Sequence, residues 1–235
     1  PIRRTIRRSD ARQIVIRALI KVVVKQAIIG LLLFGGAESW NFWEAWVFFV
    51  VFCVPQLMMV VYFSHHDPEL LARRLKGRLF AETRIRQRII MLLVTLFFIL
   101  TVVIPGLDHR FNWSRVPASV AIAADVAVVL GFFIQFQAFQ QNSFASALIE
   151  IADRQEVIST GPYAIVRHPM YVGALIVNFA IPIALGSWWG LAFVLPIVAL
   201  LILRLLDEEK LLGQSLPAYD DYCRRVRYRL VPKVW

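Results

Sequence analysis

The residues best suited to chemistry lie in one stretch, Ser159-Thr160-Gly161-Pro162-Tyr163-Ala164-Ile165-Val166-Arg167-His168-Pro169-Met170-Tyr171-Val172-Gly173, just ahead of an apolar run. Gly161-Pro162 marks a turn, and Pro169 biases His168 away from helical geometry while itself suiting the first position of a helix. Backbone amides at such a helix start are expected to be free. With Arg167 and His168 beside them, they would seat a carboxylate or phosphate, while Tyr163 and Tyr171 offer faces to a cation or an adenine ring. A zwitterionic, nucleotide-like ligand carries that set of groups. Taken singly, Arg167 and His168 suit interfacial anchoring and the tyrosines an aromatic belt.

A second cluster closes the last apolar run. Arg204 and Glu208 are four apart and share one helical face, with Asp207 and Glu209 beside them. Either the two form a structural ion pair, or Arg204 grips an anionic substrate. His65, His66, Asp67 and Glu69 are adjacent in a loop and lack the spacing that aims ligands at one ion, so no metal site is expected. Cys53 and Cys223 are the only cysteines, too few for a disulfide framework or a four-ligand zinc site. Asp125, Gln135, Gln137 and Asn178 are polar groups within apolar runs, and Asp125 is as well suited to packing as to function.

These clusters must be positioned by membrane helices. Hydrophobic residues make up 59% of the 235 and mean hydropathy is +0.64, too oily for a soluble domain of this length. Six windows approach the ~20 apolar residues of a spanning helix: 18–36, 43–63, 85–105, 117–140, 168–185 and 188–206, the last two short enough for a tight hairpin. Five Lys or Arg residues fall in 1–12, seven in 64–88, two in 141–169 and six in 207–235, against Arg110 and Arg115 in the opposite loops. The positive-inside rule then puts both termini in the cytoplasm. The basic arm runs into the first apolar segment without a cleavage-like site, so it is expected to stay there.

Arg17, Lys21 and Lys25 form one helical stripe that can snorkel toward headgroups. After an N-cap-like Asp67-Pro68, the leucines Leu70, Leu71, Leu75 and Leu79 interleave with Arg73, Arg74, Lys76 and Arg78, predicting a short helix on the membrane surface. Pro55, Pro182 and Pro196 fall inside spans. The net charge of +10 suits anionic lipid; no basic soluble domain is left over for nucleic acid. No internal repeat and no G-x-G-x-x-G after a strand is present. The expected fold is a single all-α integral membrane domain over 1–235. Within it, 1–115 carry the first helices and the basic surface loop, and 116–235 a core with the polar loop and tail.

Through Gly161-Pro162-Tyr163, Arg167-His168-Pro169-Met170-Tyr171-Val172-Gly173, Arg204, Glu208 and the ending Tyr219 to Pro232, the last ~100 residues resemble the isoprenylcysteine carboxyl methyltransferase family. The resemblance implies S-adenosylmethionine as cofactor, enclosed between the loop and the final helices. It implies that Tyr163, Arg167, His168, Pro169 and Tyr171 line its site with Gln155, Glu156, Val157 and Ile158, that Glu208 contacts it, and that Arg204 holds the substrate carboxylate. Where eukaryotic members carry a glutamine upstream of the motif, this chain has Leu148.

The implied reaction is a methyl ester formed on the carboxylate of a lipophilic, isoprenylcysteine-like substrate at the cytoplasmic face. The membrane would be the inner one in a bacterium and the endoplasmic reticulum in a eukaryote, with lipids and a lipophilic or prenylated substrate as partners. A carboxylate with a pKa of about 3.5 is ionised at neutral pH and needs positioning rather than a base. A phospholipid-type amine methyltransferase would instead need a base such as His168. An NADPH-dependent sterol or steroid reductase shares a histidine-bearing loop and a Tyr-rich basic ending. Met170 stands where such reductases usually carry asparagine. A scaffold or transporter would leave the polar cluster idle, and no inverted repeat supports transport.

Overall fold

The computed structural model describes residues 8–76, 84–145 and 155–235, and they form helices with no strand among them. The long elements are α1 (Arg8–Ala37), α2 (Trp43–His66), α4 (Ile85–Phe111), α5 (Ala118–Gln141) and α7 (Val194–Ser215). The short ones are α3 (Pro68–Lys76), α6 (Pro169–Ala184) and α8 (Tyr219–Arg225), with 3₁₀ turns at Gly161–Ala164 and Trp189–Phe193. Five helices are long and apolar enough to cross a membrane, the last running Trp189–Ser215, and the chain is an integral multi-pass membrane protein. The predicted window 168–185 is the exception. At 1.5 Å per residue the 16 residues of α6 reach about 24 Å, short of a hydrocarbon core of roughly 30 Å. It folds back on α7 as a hairpin through Gly186, whose φ of +77° suits glycine.

The core runs along the bundle axis, with Leu33, Phe42, Phe48, Val102, Val128, Ile181 and Leu185 fully buried. Large apolar side chains such as Leu31, Met58, Val126, Phe133 and Leu195 point outward, as lipid-facing residues must. The tightest seam joins α5 to α6. A Cβ on Gly173 would sit 2.5 Å from the Gly131 carbonyl oxygen, and one on Gly131 would sit 2.8 Å from that of Gly173. Small residues thus let two backbones touch where no hydrophobic effect drives helices together.

The two ends of the bundle differ in chemistry. Trp40, Trp43, Trp46, Trp113, Trp188 and Trp189 gather at the end holding the α1–α2, α4–α5 and α6–α7 links. There buried Asp108 accepts hydrogen bonds from the Ser114 amide (2.7 Å), the Ser114 hydroxyl (2.6 Å) and the Ser187 hydroxyl, while Arg110 pairs with Glu38 at 2.6 Å. The opposite end collects α3, the start of α4 and the ends of α5 and α7, and joins them by polar contacts such as Arg86 to Asp207 at 3.0 Å. The described basic segments therefore share one end.

Three expectations change in detail. Lys21 and Lys25 turn to protein acceptors, Lys21 Nζ donating to the Leu75 carbonyl at 2.6 Å and Lys25 to the Gln56 side chain. Packed neighbours supply those acceptors, so headgroups are not needed; Arg17 stays exposed. Pro196 falls in the first turn of α7, where its missing N–H costs nothing, whereas Pro55, Pro105 and Pro182 lie within helices. Finally, α3 forms as predicted, Asp67 Oδ1 capping the Leu70 amide at 2.9 Å. Its leucines, however, are covered by protein: Leu70 by Phe63 and Phe139, Leu71 by Ala18, Val22 and Val60. Arg78 and Leu79 lie outside the described residues.

Candidate active site

At the basic end a cavity of about 280 Å³ opens between α3, α5, α6, α7, α8 and the 155–158 segment. Gln155, Glu156, Val157, Ile158, Tyr163, Arg167, His168, Tyr171, Arg204 and Glu208 all line it. Residues apart in sequence by up to 53 positions, Gln155 to Glu208, thus meet in one place. Pro169 is buried at the first position of α6 and is not among the lining residues; its role there is to start the helix.

The turn before α6 is built by Gly161, whose φ is +57° and whose absent Cβ leaves room for Gln141, 2.8 Å from where it would stand. The turn presents Tyr163 inward. Its hydroxyl accepts from Asn142 Nδ2 at 3.2 Å, and its carbonyl accepts from the Tyr222 hydroxyl at 2.8 Å. Burial pushes the Tyr163 hydroxyl up to about 12, despite the Asn142 bond, and raises Tyr222 as well, so both stay neutral at ordinary pH.

The expected anion seat of free amides is overturned. The Arg167 amide donates to the Tyr228 carbonyl at 2.9 Å and the His168 amide to the Arg229 carbonyl at 3.0 Å, so the chain's own tail takes them. The side chains of Arg167 and His168 are held too. Glu209, only 10% exposed, receives Arg167 Nη1 at 2.9 Å, His168 Nε2 at 3.2 Å and Arg229 Nε at 2.7 Å. Glu209 thus ties the loop, α7 and the tail into one unit, a part the sequence did not reveal because its partners are 20 to 42 residues away.

On the preceding residue of α7 the carboxylate faces the cavity. Glu208 Oε2 accepts from the Tyr171 hydroxyl at 2.7 Å, which fixes both groups. Arg204 is buried at 6% exposure, and its Nη1 donates to Gln87 Oε1 at 3.2 Å; Gln87 in turn donates to Asp207. The planar fork of Arg204 is thereby oriented by α4.

The cavity has further walls that the sequence did not assign to the site: Arg74 from α3, Met91 from α4, Asn142 at the end of α5, Tyr219 and Tyr222 from α8, and Gln135 of α5, marked in the sequence only as a polar group within an apolar run. The buried Tyr219 hydroxyl has no hydrogen-bond partner among the described residues, and burial raises its pKa. Tyr219 and Tyr222 had a signal, since they open the tail already noted as a motif. Arg74 had none beyond its place on an amphipathic helix. His65 and His66 each bond a carbonyl of their own helix, Asp67 caps α3 and Glu69 pairs with Arg73. Leu148 lies outside the described residues.

Fold and site together define a multi-pass membrane protein with a cavity lined by charged, polar and aromatic side chains at its basic end. Residues 120–217 match the model of the phospholipid methyltransferase family, and that span supplies α5, the loop, α6 and α7. Over 121 residues the chain is 31% identical to a Delta(14)-sterol reductase of Mus musculus, covering 46% of this chain and 29% of that protein. Over 75 residues it is 35% identical to a nickel-cobalt-cadmium resistance protein of Alcaligenes xylosoxydans xylosoxydans, covering 30% of this chain and 33% of that one. The chain thus spans about a third of the length of the curated relatives it matches.

Proposed function

We propose that the protein is an S-adenosylmethionine-dependent methyltransferase that esterifies the carboxylate of a lipophilic, isoprenylcysteine-like substrate at the cytoplasmic end of the bundle. The observation that carries the reading is the convergence of Tyr163, Tyr171, Glu208 and the 155–158 segment with buried Arg204 around one cavity. The family match over 120–217 supports the methyltransferase class.

The residues fit the cofactor. An adenosyl amino acid needs aromatic surface, an acid for its ammonium or hydroxyls and a donor for its remaining polar groups. Tyr163, Glu208 and the Tyr219 hydroxyl, which bonds none of the described residues, are of those kinds. When bound, the cofactor supplies a sulfonium methyl group, which a carboxylate oxygen accepts as the C–S bond breaks, with no proton to remove. Arg204 holds that carboxylate in a water-poor site, where charge-assisted bonds are strong and orientation lowers the barrier. Helices open to lipid on their outer faces let a prenyl tail enter sideways.

The test is calorimetric titration of the detergent-purified protein with S-adenosylmethionine, S-adenosylhomocysteine and NADPH, repeated on His168→Ala and Glu208→Ala. Binding of the adenosyl ligands, weakened in both variants, with none of NADPH is expected. Arg204→Ala should abolish turnover while adenosyl binding largely survives; unchanged turnover removes Arg204 from the mechanism. The product methyl should be base-labile. A base-stable methyl would favour the alternative of an amine acceptor, with a phospholipid as the substrate class that the matched family's description names. Binding of NADPH alone would favour the reductase reading, for which the 31% identity to a sterol reductase speaks.

A further inference from the structure

On α3, Arg74 stands four residues after Leu70 and three after Leu71, hence on the same inward face. An apolar residue would be ordinary there. Instead a guanidinium lies 4.7 Å from the centroid of the Phe139 ring, with Nη1 3.7 Å from Met170 Sδ, and it lines the cavity shared by Arg204 and Glu208. Desolvation lowers its pKa from the ordinary arginine value, with Tyr171, Arg204, Tyr163 and Glu208 as its electrostatic neighbours. Placing a charge on that face costs free energy that a leucine would not. Arg74 also lies outside the span matched by the family model.

Methyl transfer between an adenosyl amino acid and a carboxylic acid brings two carboxylates into one cavity. A single guanidinium cannot hold both in the bidentate geometry that makes such pairs strong. Three arginines line this cavity; Arg167 of the loop is paired with Glu209, and the other two guanidinium groups come from α7 and from α3. Resting on the methyltransferase reading, we propose that Arg74 is a second carboxylate-binding residue of the site, so that α3 is a wall of the binding cavity as well as a connector. The carboxylate is that of the adenosyl ligand or that of the acceptor, and one experiment separates them.

Dissociation constants for S-adenosylhomocysteine and for 5′-methylthioadenosine, which lacks the amino-acid part, would be measured on the full chain and on Arg74→Gln. KM and kcat would be measured with an S-farnesylcysteine acceptor. If Arg74 holds the adenosyl carboxylate, S-adenosylhomocysteine weakens about tenfold or more while methylthioadenosine binds as before. If it holds the acceptor, KM rises by about that factor with S-adenosylhomocysteine affinity unchanged. Equal losses for both nucleosides, or no change in any constant, overturn the proposal. Arg74→Lys serves for the same comparisons should the glutamine variant not fold. Wild-type protein that binds neither nucleoside sinks the methyltransferase reading, and this inference with it. Wild-type binding matched by Arg74→Gln, with acceptor KM also unchanged, sinks the inference alone.

Discussion

Two neighbouring acids on α7 divide the work of the site. Glu208 faces the cavity and is fixed by the Tyr171 hydroxyl, whereas Glu209, one residue and about 100° further round the helix, faces Arg167, His168 and Arg229. Glu209 is a structural anion whose removal leaves two arginines and a histidine without their shared partner. Glu209→Gln should destabilise the protein by about 3 kcal/mol or more, the usual consequence of breaking a buried ion pair from one side. The melting temperature of the purified protein checks this. An unchanged melting temperature would mean that the tail is held by its backbone bonds alone. The spacing of Arg204 and Glu208 in sequence announced a shared face. It did not announce that Glu209 organises the loop, because three-way contacts among distant segments leave no periodic trace.

At the scale of elements, α6 matters more by position than by length. Its first turn carries His168 and Tyr171, and its middle is pressed against α5 through Gly173 and Gly131. Any side chain at Gly173 must push the helices apart, since its Cβ would meet backbone at 2.5 Å. Gly173→Val is therefore expected to destabilise by roughly 1–3 kcal/mol, the range for overpacking, and to shift Tyr171 off Glu208. A fall in both melting temperature and adenosyl affinity would show the coupling; a fall in neither would mean the seam is loose enough to yield. The motif Tyr171-Val172-Gly173 marked this glycine in the sequence, but its partner Gly131 was visible only once α5 and α6 were packed.

For the whole molecule, the segregation of tryptophan to one end and of arginine and lysine to the other supports a single orientation. Six of the seven tryptophans lie at the end away from the cavity, suited to an interface where amphipathic rings settle, and the basic end suits the cytoplasmic leaflet. Cysteine substitution provides the check. In intact cells or sealed vesicles, a membrane-impermeant maleimide should label Ser39→Cys from outside and reach Asp220→Cys only after permeabilisation. The reverse pattern would invert the topology and put the cavity on the other face.

Apolar windows and the charge of their flanks were enough, in the sequence alone, to define an all-helical membrane chain. The turn chemistry of Gly161-Pro162 and Pro169 located the polar loop, and Asp67-Pro68 the start of α3. Those are local effects, set by propensity, capping and solvent. Which groups meet across the bundle was decided by packing: Arg204 on Gln87, the loop amides on the tail carbonyls, and Arg74 turned into the cavity beneath an amphipathic helix. A membrane solvent tells a helix to be apolar outside but not which neighbour to face, so the site was legible as a set of residue types and became a geometry only in the tertiary structure.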